Sequence, residues 1–308
     1  MKSLIKDIIP TPVLRRLRET LITYNQWKIV RACGRHSRIF LRPENRVEHY
    51  FHFLFDLALP LSRLIQTTPP SVVFVIKDFG IFTDRIVELF PDRVEIANDD
   101  QGGQGLKTLP LTGMNPQFVH LNFLHIRNFK SHVRDVFKLD AASDRNQVLL
   151  IERMPPNSYF VNDAVKKGAG ASRRSIPNHR ELADAISAIV QKPLEFFNLQ
   201  LEELSFEEQI RHFDRAAVVI GQHGAGLANC IWMRPESNVV ELSHNLSLKH
   251  FRVVSQVMRH NYILQETSGP HETIDVEELI GELMSKFCLL YTSPSPRDRT
   301  RSRMPSSA

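Results

Sequence analysis

The sequence is poor in cysteine and has no long apolar run. Its three cysteines, Cys33, Cys230 and Cys288, are widely separated among 308 residues. Three scattered thiols exclude a disulfide framework and match no zinc-ligand spacing. No apolar run approaches the roughly 20 residues that span a bilayer, and the first residues lack the apolar core of a signal peptide. These absences predict a cytoplasmic protein.

The sequence also lacks a large charge excess. Its formal net charge is +5, but residues 292–308 hold four arginines against one aspartate. The +2 that remains is too small for a nucleic-acid-binding domain, so no nucleic-acid partner is predicted. The end of the chain has no apolar periodicity and resembles translated sequencing adapter. We interpret residues 289–308 as a disordered, non-native tail, with an RS-like interaction tail as the alternative.

The second half shows the pattern of an α/β domain, because short β-rich runs alternate with amphipathic helices. Wholly apolar runs such as residues 218–220 predict a parallel sheet that is covered on both faces. Asn178 with Glu181, and Ser205 with Glu208, have the spacing of helix capping boxes. The predicted strands are residues 147–152, 194–198, 217–221, 239–242 and 262–265. The predicted helices are residues 180–190, 206–213, 225–233, 248–259 and 276–287.

The first half is less regular, and it is also interpreted as α/β. A helix is expected over residues 47–65 with a break or kink at Pro60. The polar stretch 141–146 is the expected boundary, which divides the chain into domains 1–140 and 141–288. The other predicted elements are a strand at 71–76, a helix at 83–89, a weak strand at 93–97 and a loop at Gly102, Gly103 and Gly105; residues 109–139 receive no assignment.

Near the N-terminus, Pro12 opens a basic amphipathic helix. Its apolar stripe is formed by Val13, Leu14, Leu17 and Leu21, while Arg15, Arg16 and Arg18 crowd another face. Such a helix either caps the first domain with a solvated basic face or lies on an anionic membrane surface.

A His-Gly-Ala-Gly corner carries the clearest chemistry. Gly221 ends a predicted strand, and the next helix opens with unpaired amides and the positive end of its dipole. The glycines let a diphosphate approach the backbone, and a flanking imidazole can donate to it. Glu241 ends the following strand, where a carboxylate can accept the hydroxyls of a ribose. The corner residues are His223, Gly224, Ala225 and Gly226. The pattern predicts a nucleotide-diphosphate site; a tight turn with a solvated glutamate is the alternative.

Cations follow the predicted strand 147–152. Arg153 stands at the carboxyl end of this strand, where a guanidinium can bind phosphate in fork geometry. At least one of Arg173 and Arg174 is expected to bind phosphate as well. The loop lysines Lys166 and Lys167 are expected to be solvated.

A histidine-rich helix is the unusual part of the first half. His49, His52 and Asp56 fall on one face of a helix that is otherwise apolar almost all round. His52 and Asp56, four residues apart, can act as a base and the group that orients it. A buried histidine with a structural aspartate is the alternative, and metal ligation is the weaker one, because no further ligand cluster is near.

Together these segments resemble glycosyltransferase family 61. The resemblance runs over residues 47–242, and its most specific part is the corner with Asn229 and Glu241. It implies two facing Rossmann-like domains of the GT-B type, an inverting reaction, a nucleotide-diphosphate sugar as co-substrate, and no required metal or cofactor. The absence of any Asp-X-Asp motif agrees with the last point. The matching segments are residues 49–61, 151–154, 172–186 and 204–242.

The resemblance also implies roles for particular residues. His52 and Asp56 correspond to a helix that faces the cleft. The family usually has a small residue before Arg153, whereas Glu152 stands here. Because no membrane anchor is found, we expect the short bacterial type, which adds sugars to surface polysaccharide. The nucleotide-sugar side is assigned to Arg153, Arg173 or Arg174, Asn178, His223 to Gly226, and Glu241.

The resulting prediction is an inverting transferase that acts on a glycan or glycolipid acceptor, in the cytoplasm or peripherally on the cytoplasmic membrane face. A non-catalytic nucleotide-sugar-binding module is the first alternative. A Rossmann oxidoreductase shares the strand, glycine turn and acid, but residues 224–229 lack the third glycine of its fingerprint. An α/β-hydrolase would need a Gly-X-Ser-X-Gly elbow, and none occurs.

Overall fold

The structure, a computed structural model, describes residues 11–45, 47–97, 104–139, 144–155 and 170–287. Several predictions concern residues outside these ranges and stay predictions. They are Cys288, Lys166, Lys167, Gly102, Gly103, part of the expected domain boundary and the tail 289–308.

The first half forms a four-stranded parallel sheet in the order β3-β2-β1-β4. Strand β2 has the sequence VFVIK, and its central residues are buried, as in a sheet that is covered on both faces. In chain order the elements are α1 (Thr11–Cys33), β1 (Arg38–Pro43), α2 (residues 50–67), β2 (Val73–Lys77), α3 (Ile81–Leu89), β3 (Val94–Ala97), β4 (Lys107–Leu111) and α4 (Phe123–Val136).

The second half forms a five-stranded parallel sheet in the order β6-β5-β7-β8-β9. All five predicted strands are confirmed, as is the capping box of Ser205 with Glu208. In chain order the elements are β5 (Gln147–Glu152), α5 (Gly170–Arg173), α6 (His179–Ile189), β6 (Glu195–Gln200), a 3₁₀ turn (Leu201–Glu203), α7 (Phe206–Arg215), β7 (Ala216–Gln222), a 3₁₀ helix (Ala225–Trp232), β8 (Asn238–Ser243), α8 (His250–Met258), β9 (Asn261–Glu266) and α9 (Val276–Phe287).

Each sheet has one point at which the strand order reverses. In the first sheet this switch point lies between β1 and β4, and in the second it lies between β5 and β7. In open parallel sheets, ligands bind outside the carboxyl ends of the two strands that flank such a point. The topology therefore marks two places at which functional side chains are expected.

Three elements of the first half are missing from the sequence prediction. Strands β1 and β4 are short and carry proline at Pro43 and Pro110, which weakens the strand signal. Helix α4 does have a helical stripe, since Ile126, Phe129 and Val133 are buried at spacings of three and four.

The expected break at Pro60 is a π-helical turn, Phe53–Ala58, which comes just before the proline. Helix α2 consists of Tyr50–His52, this turn and Leu59–Thr67. Proline has no N–H, so the wider turn in front of it leaves a carbonyl oxygen free for another partner. The amide of Met114, just after β4, donates to Phe55 O at 2.7 Å. The turn thereby ties helix α2 to the end of β4.

Helix α1 packs on the first domain, but not through the apolar stripe that the sequence indicates. Its buried residues are Ile22, Asn25, Ile29 and Cys33, whereas Val13, Leu17 and Leu21 are exposed. Arg18 contacts Glu44 and Arg15 contacts His120. Over the described ranges, no helix combines the length and apolar character needed to cross a membrane.

Candidate active site

The corner after β7 presents free backbone amides. The chain passes through His223 and Gly224 into the 3₁₀ helix, a tighter helix than the α-helix type that usually follows such a strand. Its first bond joins Leu227 N to Gly224 O at 3.1 Å. Among the described residues, the amides of Gly224, Ala225 and Gly226 therefore donate no backbone hydrogen bond. Three adjacent free amides thus lie at the corner where the sequence predicts an anion site.

Arg153 covers this corner from the end of β5. A Cβ atom at position 224 would lie 2.0 Å from Arg153 Nη1, so only glycine lets the guanidinium approach this closely. Arg153 Nη1 donates to His223 O at 3.2 Å, and its Nη2 donates to Gly170 O at 3.1 Å. Strands β5 and β7 flank the switch point of the second sheet, which explains why Arg153 meets the corner.

Arg174 joins Arg153 at the same carbonyl oxygen, since its Nη1 donates to His223 O at 3.2 Å. Burial, together with the positive charge of Arg174, lowers the pKa of Arg153 to about 10. Burial and the charge of Arg173 also lower the pKa of Arg174. Arg173 lines the same cleft. Three guanidinium groups gathered in one cleft favour an anionic ligand.

Two buried polar atoms of the cleft have no hydrogen-bond partner within the described part of the chain. They are Nε of Arg153, a donor, and Oε1 of Gln222, an acceptor. Buried polar atoms in folded proteins nearly always have partners. A ligand that accepts from Arg153 and donates to Gln222 would satisfy both.

Glu241 has a different role from the predicted ribose contact. It is fully buried, and its two carboxylate oxygens accept from His223 Nδ1 and from the Tyr262 hydroxyl. Burial and the carboxylate beside it raise the pKa of Tyr262, which therefore stays protonated and donates. Because Glu241 is fully buried and does not line the cleft, its carboxylate positions the imidazole of His223.

The two predicted site asparagines lie in different places. Asn229 is fully buried in the wall of the cleft, accepts from the Tyr50 hydroxyl and donates to Gly226 O at 3.2 Å. Asn178 lies outside the cleft lining, where it exchanges two 2.9 Å hydrogen bonds with the backbone of Ile274. Its side chain does not cap helix α6. Asn178 therefore ties α6 to the segment before α9 instead of contacting the cleft.

The predicted pair His52 and Asp56 forms in the first half. His52 Nδ1 lies 2.6 Å from Asp56 Oδ2, which also accepts from Asn45 Nδ2 at 2.7 Å. A Cβ atom at Gly113 would lie 1.9 Å from Asp56 Oδ1, so glycine is required there. Asn45 follows β1 and Gly113 follows β4, which places the pair at the switch point of the first sheet. Asp56 is fully buried, and 33% of the His52 side chain is exposed.

A cleft of about 1060 Å³, including its open mouth, lies between residues of both halves. His49 lines it, and the ring centroid of His49 is 6.4 Å from that of His52. Arg85 lines it as well and stacks on the rings of Phe82 and Phe206. The cleft therefore joins the arginine-rich corner to the helix that carries His52.

The unusual Glu152 also lines this cleft. Its Oε2 atom accepts from Asn198 at 3.0 Å and from Gln200 at 2.9 Å. Both partners belong to β6, the neighbour of β5 in the sheet. The side chain of Glu152 is thus held by the neighbouring strand and forms no direct ion pair with Arg153.

Sequence reasoning missed several residues that shape the site. Gln222, Tyr262, Asn45 and Gly113 are far apart in the chain and share no motif. One signal was available for Gln222, since it is the polar residue that ends a buried apolar strand. That Asn45, Gly113 and Tyr262 belong to the site follows only from the strand order.

Comparison with known proteins identifies a family. The sequence model of the family Glycosyltransferase 61 matches residues 50–240. This range includes His52, Arg153 and the corner after β7, and it covers more than half of the chain.

Individual relatives are more distant. The chain is 29% identical over 155 residues to the β-1,2-xylosyltransferase RCN11 of Oryza sativa subsp. japonica, which is 49% of this chain and 28% of the rice protein. It is 28% identical over 109 residues to the EGF domain-specific O-linked N-acetylglucosamine transferase of Canis lupus familiaris, and 27% identical over 109 residues to that of Gallus gallus. These two matches cover 33% of this chain and 21% and 20% of the relatives. The chain thus matches less than a third of each relative's length.

Proposed function

The chain belongs to the glycosyltransferase 61 family, and from this membership we propose that it moves a sugar from a nucleotide-diphosphate donor to a hydroxyl acceptor. The observation that carries the proposal is the corner after β7, where free amides of Gly224 to Gly226 lie beneath Arg153 with its unpaired Nε. A diphosphate is the anion that suits such a site at a sheet switch point. Because the chain belongs to this family, we no longer consider the oxidoreductase and hydrolase alternatives.

We propose a GT-B arrangement, with the donor on the second sheet and the acceptor on the first. Its support is that both sheets are parallel, that each has a switch point, and that the cleft is lined from both halves. The sugar is a pentose or hexose, a choice guided by the names of the xylosyl and N-acetylglucosaminyl relatives.

In the proposed reaction His52 is the base. Its Nδ1–H donates to Asp56, which leaves Nε2 to accept the proton of the acceptor hydroxyl. The acceptor oxygen forms its bond to the anomeric carbon as the bond from that carbon to the diphosphate oxygen breaks. The electron pair leaves with the diphosphate, and attack from the opposite face inverts the anomeric centre.

Charge that develops on the departing diphosphate is stabilised by the corner amides and by Arg153 and Arg174. Such preorganised donors act most strongly where charge grows in the transition state. No metal is included, because the amides and guanidinium groups supply the positive field; activity that persists in a chelator is the expected result.

The acceptor is proposed to be a glycan or glycolipid of a bacterial surface polysaccharide, modified on the cytoplasmic side of the membrane. This part rests on the family resemblance, since the name of the rice relative gives no acceptor and that of the dog relative gives an EGF domain.

The test is turnover of the Arg153→Ala variant with a panel of nucleotide sugars. We expect a loss on the order of 100-fold in kcat with the fold retained. Arg180→Ala, at an exposed position of α6, is the matched control and should be unaffected. Donor binding is measured separately by thermal shift, where a ligand at 100 times its Kd adds about 2.7 kcal/mol of stability.

Two outcomes separate the alternatives. Wild-type turnover in Arg153→Ala would remove this residue from the mechanism. Stabilisation by a nucleotide sugar without transfer or donor hydrolysis would instead favour a non-catalytic binding module.

A further inference from the structure

The outer face of α1 carries most of the exposed large apolar side chains among the described residues. Ten large apolar side chains in the described part of the chain are more than about a third exposed, and six of them belong to this one helix. The other four, Ile96, Leu124, Leu246 and Met284, lie apart from one another in sequence. The six on α1 are Val13, Leu17, Leu21, Tyr24, Trp27 and Val30.

Five of the six, from Val13 to Trp27, recur at spacings of three and four and therefore share one helical face. We call these five residues the α1 stripe. It runs for about 21 Å along the helix axis. The opposite face, with Ile22, Ile29 and Cys33, is buried against the domain. The stripe is therefore not needed to hold α1 in place.

Positive charge accompanies the stripe. Lys28 Nζ lies 4.6 Å from the ring centroid of Tyr24, and the Arg31 guanidinium lies 5.3 Å from that of Trp27. Helix α1 has five cationic residues and one acid, Glu19. The side chain of Glu19 points away from the stripe, because its carboxylate accepts from the backbone amide and the ring of His120. The outer face thus combines apolar and aromatic groups with cations, and it includes no acid.

We propose that α1 lies flat on an anionic lipid surface with this stripe inserted among the headgroups. Tryptophan and tyrosine favour the membrane–water interface. Lysine and arginine beside them are attracted to anionic lipids. A helix with this composition binds in the plane of the interface without crossing it. A second copy fits less well, because a twofold contact would bring two acid-free cationic faces together.

The stripe offers its own spectroscopic probe. The chain has two tryptophans; Trp27 is 52% exposed, whereas Trp232 is 1% exposed. Adding phosphatidylcholine vesicles that contain phosphatidylserine should shift the Trp27 emission to the blue and bring the full chain into the vesicle pellet. Vesicles of phosphatidylcholine alone should do neither, and Trp27→Phe should remove the spectral shift.

Cosedimentation of variants tests which groups act. Lys28→Gln with Arg31→Gln should weaken partitioning about 25-fold, since each cation near an anionic leaflet contributes about fivefold. Leu17→Ser with Trp27→Ser should abolish pelleting, while Leu124→Ser, equally exposed on α4, should leave it unchanged. All of these variants should transfer sugar to a soluble acceptor at the wild-type rate, which separates this proposal from the proposed function.

The proposal fails if the wild-type chain stays in the supernatant with phosphatidylserine vesicles, or if the stripe variant pellets as well as the wild type. Light scattering in the absence of lipid is the second measurement. A dimer that the stripe variant breaks would show that another copy covers this face, and it would overturn the lipid assignment.

Discussion

At the scale of single residues, two histidines are held in the same way. His52 and His223 each direct Nδ1 to a buried carboxylate, Asp56 in one case and Glu241 in the other. Such a contact sets the tautomer and leaves Nε2 for other chemistry. Only 7% of the His223 side chain is exposed, against 33% for His52. A base must reach a bulky acceptor, and for this reason we assign proton transfer to His52.

Replacing either member of the pair tests this assignment. His52→Ala removes the base, and Asp56→Asn removes the acceptor that orients its ring, so each should lower kcat by roughly 10²–10⁴-fold. The donor KM should change little, because the proposed donor site lies in the second half. The double variant should be hardly slower than His52→Ala alone, since the two residues act as one unit.

Neighbouring histidines provide the controls. His36→Ala, at an exposed position after α1, should keep full activity. His49 lines the cleft, so His49→Ala is the informative comparison. If His49→Ala stops turnover and His52→Ala does not, the base is His49.

At the scale of elements, close approach explains the glycines of the corner. Gly224 is extended, with φ 171°, so its glycine is required by the nearby guanidinium and not by backbone strain. A Cβ atom at Gly226 would lie 2.9 Å from Leu201 Cδ1 and 3.3 Å from Ile151 Cγ2. The 3₁₀ helix therefore packs against the end of β5 with its free amides beside Arg153.

Gly224→Ala should displace Arg153 from the corner. The added methyl group has no room beside Nη1, so we expect donor binding to weaken by at least about tenfold, the equivalent of one lost charged hydrogen bond. Isothermal titration with the nucleotide diphosphate measures the change. Gly281→Ala in α9 meets no atom within 4 Å and is the matched control. Unchanged affinity in Gly224→Ala would show that Arg153 does not depend on this close contact.

At the scale of the whole molecule, helix α4 joins the two halves. Lys130 donates to the carbonyl oxygens of Trp232 and Met233 at 2.9 and 2.6 Å, at the end of the 3₁₀ helix. Arg134 contacts Asp214, which also accepts from Arg234 at 2.8 Å. The largest hydrophobic cluster likewise runs from the first sheet into the second. The two halves therefore share one packed core.

Asp214→Asn should weaken this connection. Burial alone would raise the pKa of Asp214, but hydrogen bonds from Arg234 and Arg134 outweigh it and lower the pKa. The stabilisation is therefore complete at neutral pH and is lost as pH falls through the lowered folded-state value. At pH 7 the variant should lose about 2 kcal/mol of unfolding free energy, typical of lost hydrogen bonds to a charged group.

Urea unfolding at several pH values measures this effect. The difference between wild type and Asp214→Asn should shrink at acidic pH, where the wild-type carboxylate is protonated too. Asp184→Asn, at an exposed position of α6, is the control and should match the wild type at every pH. A difference that stays constant with pH would assign the loss to packing.

Much of the second half was predictable because the sequence patterns that mark its strands and helices lie within a few residues of each other. Strand β7 is a continuous apolar run, and Ser205 with Glu208 marks the start of α7 within four residues. The pairing of His52 with Asp56 was equally predictable, since four residues bring two side chains together on any helix. Strand β1 was missed because RIFLRP is short and ends in proline.

The sequence by itself determined the parallel α/β character of the second half, the glycine corner with Arg153, and the family. These features follow from the hydrophobic period, the spacing of motif residues and the residue types, all of which can be read within short segments of the chain. Only the tertiary structure decided that Glu241 turns to His223, that Asn178 holds Ile274, and that the apolar stripe of α1 faces outward. Which of two faces is buried, and which oxygen meets which donor, depends on strand order and on contacts between residues far apart in the chain.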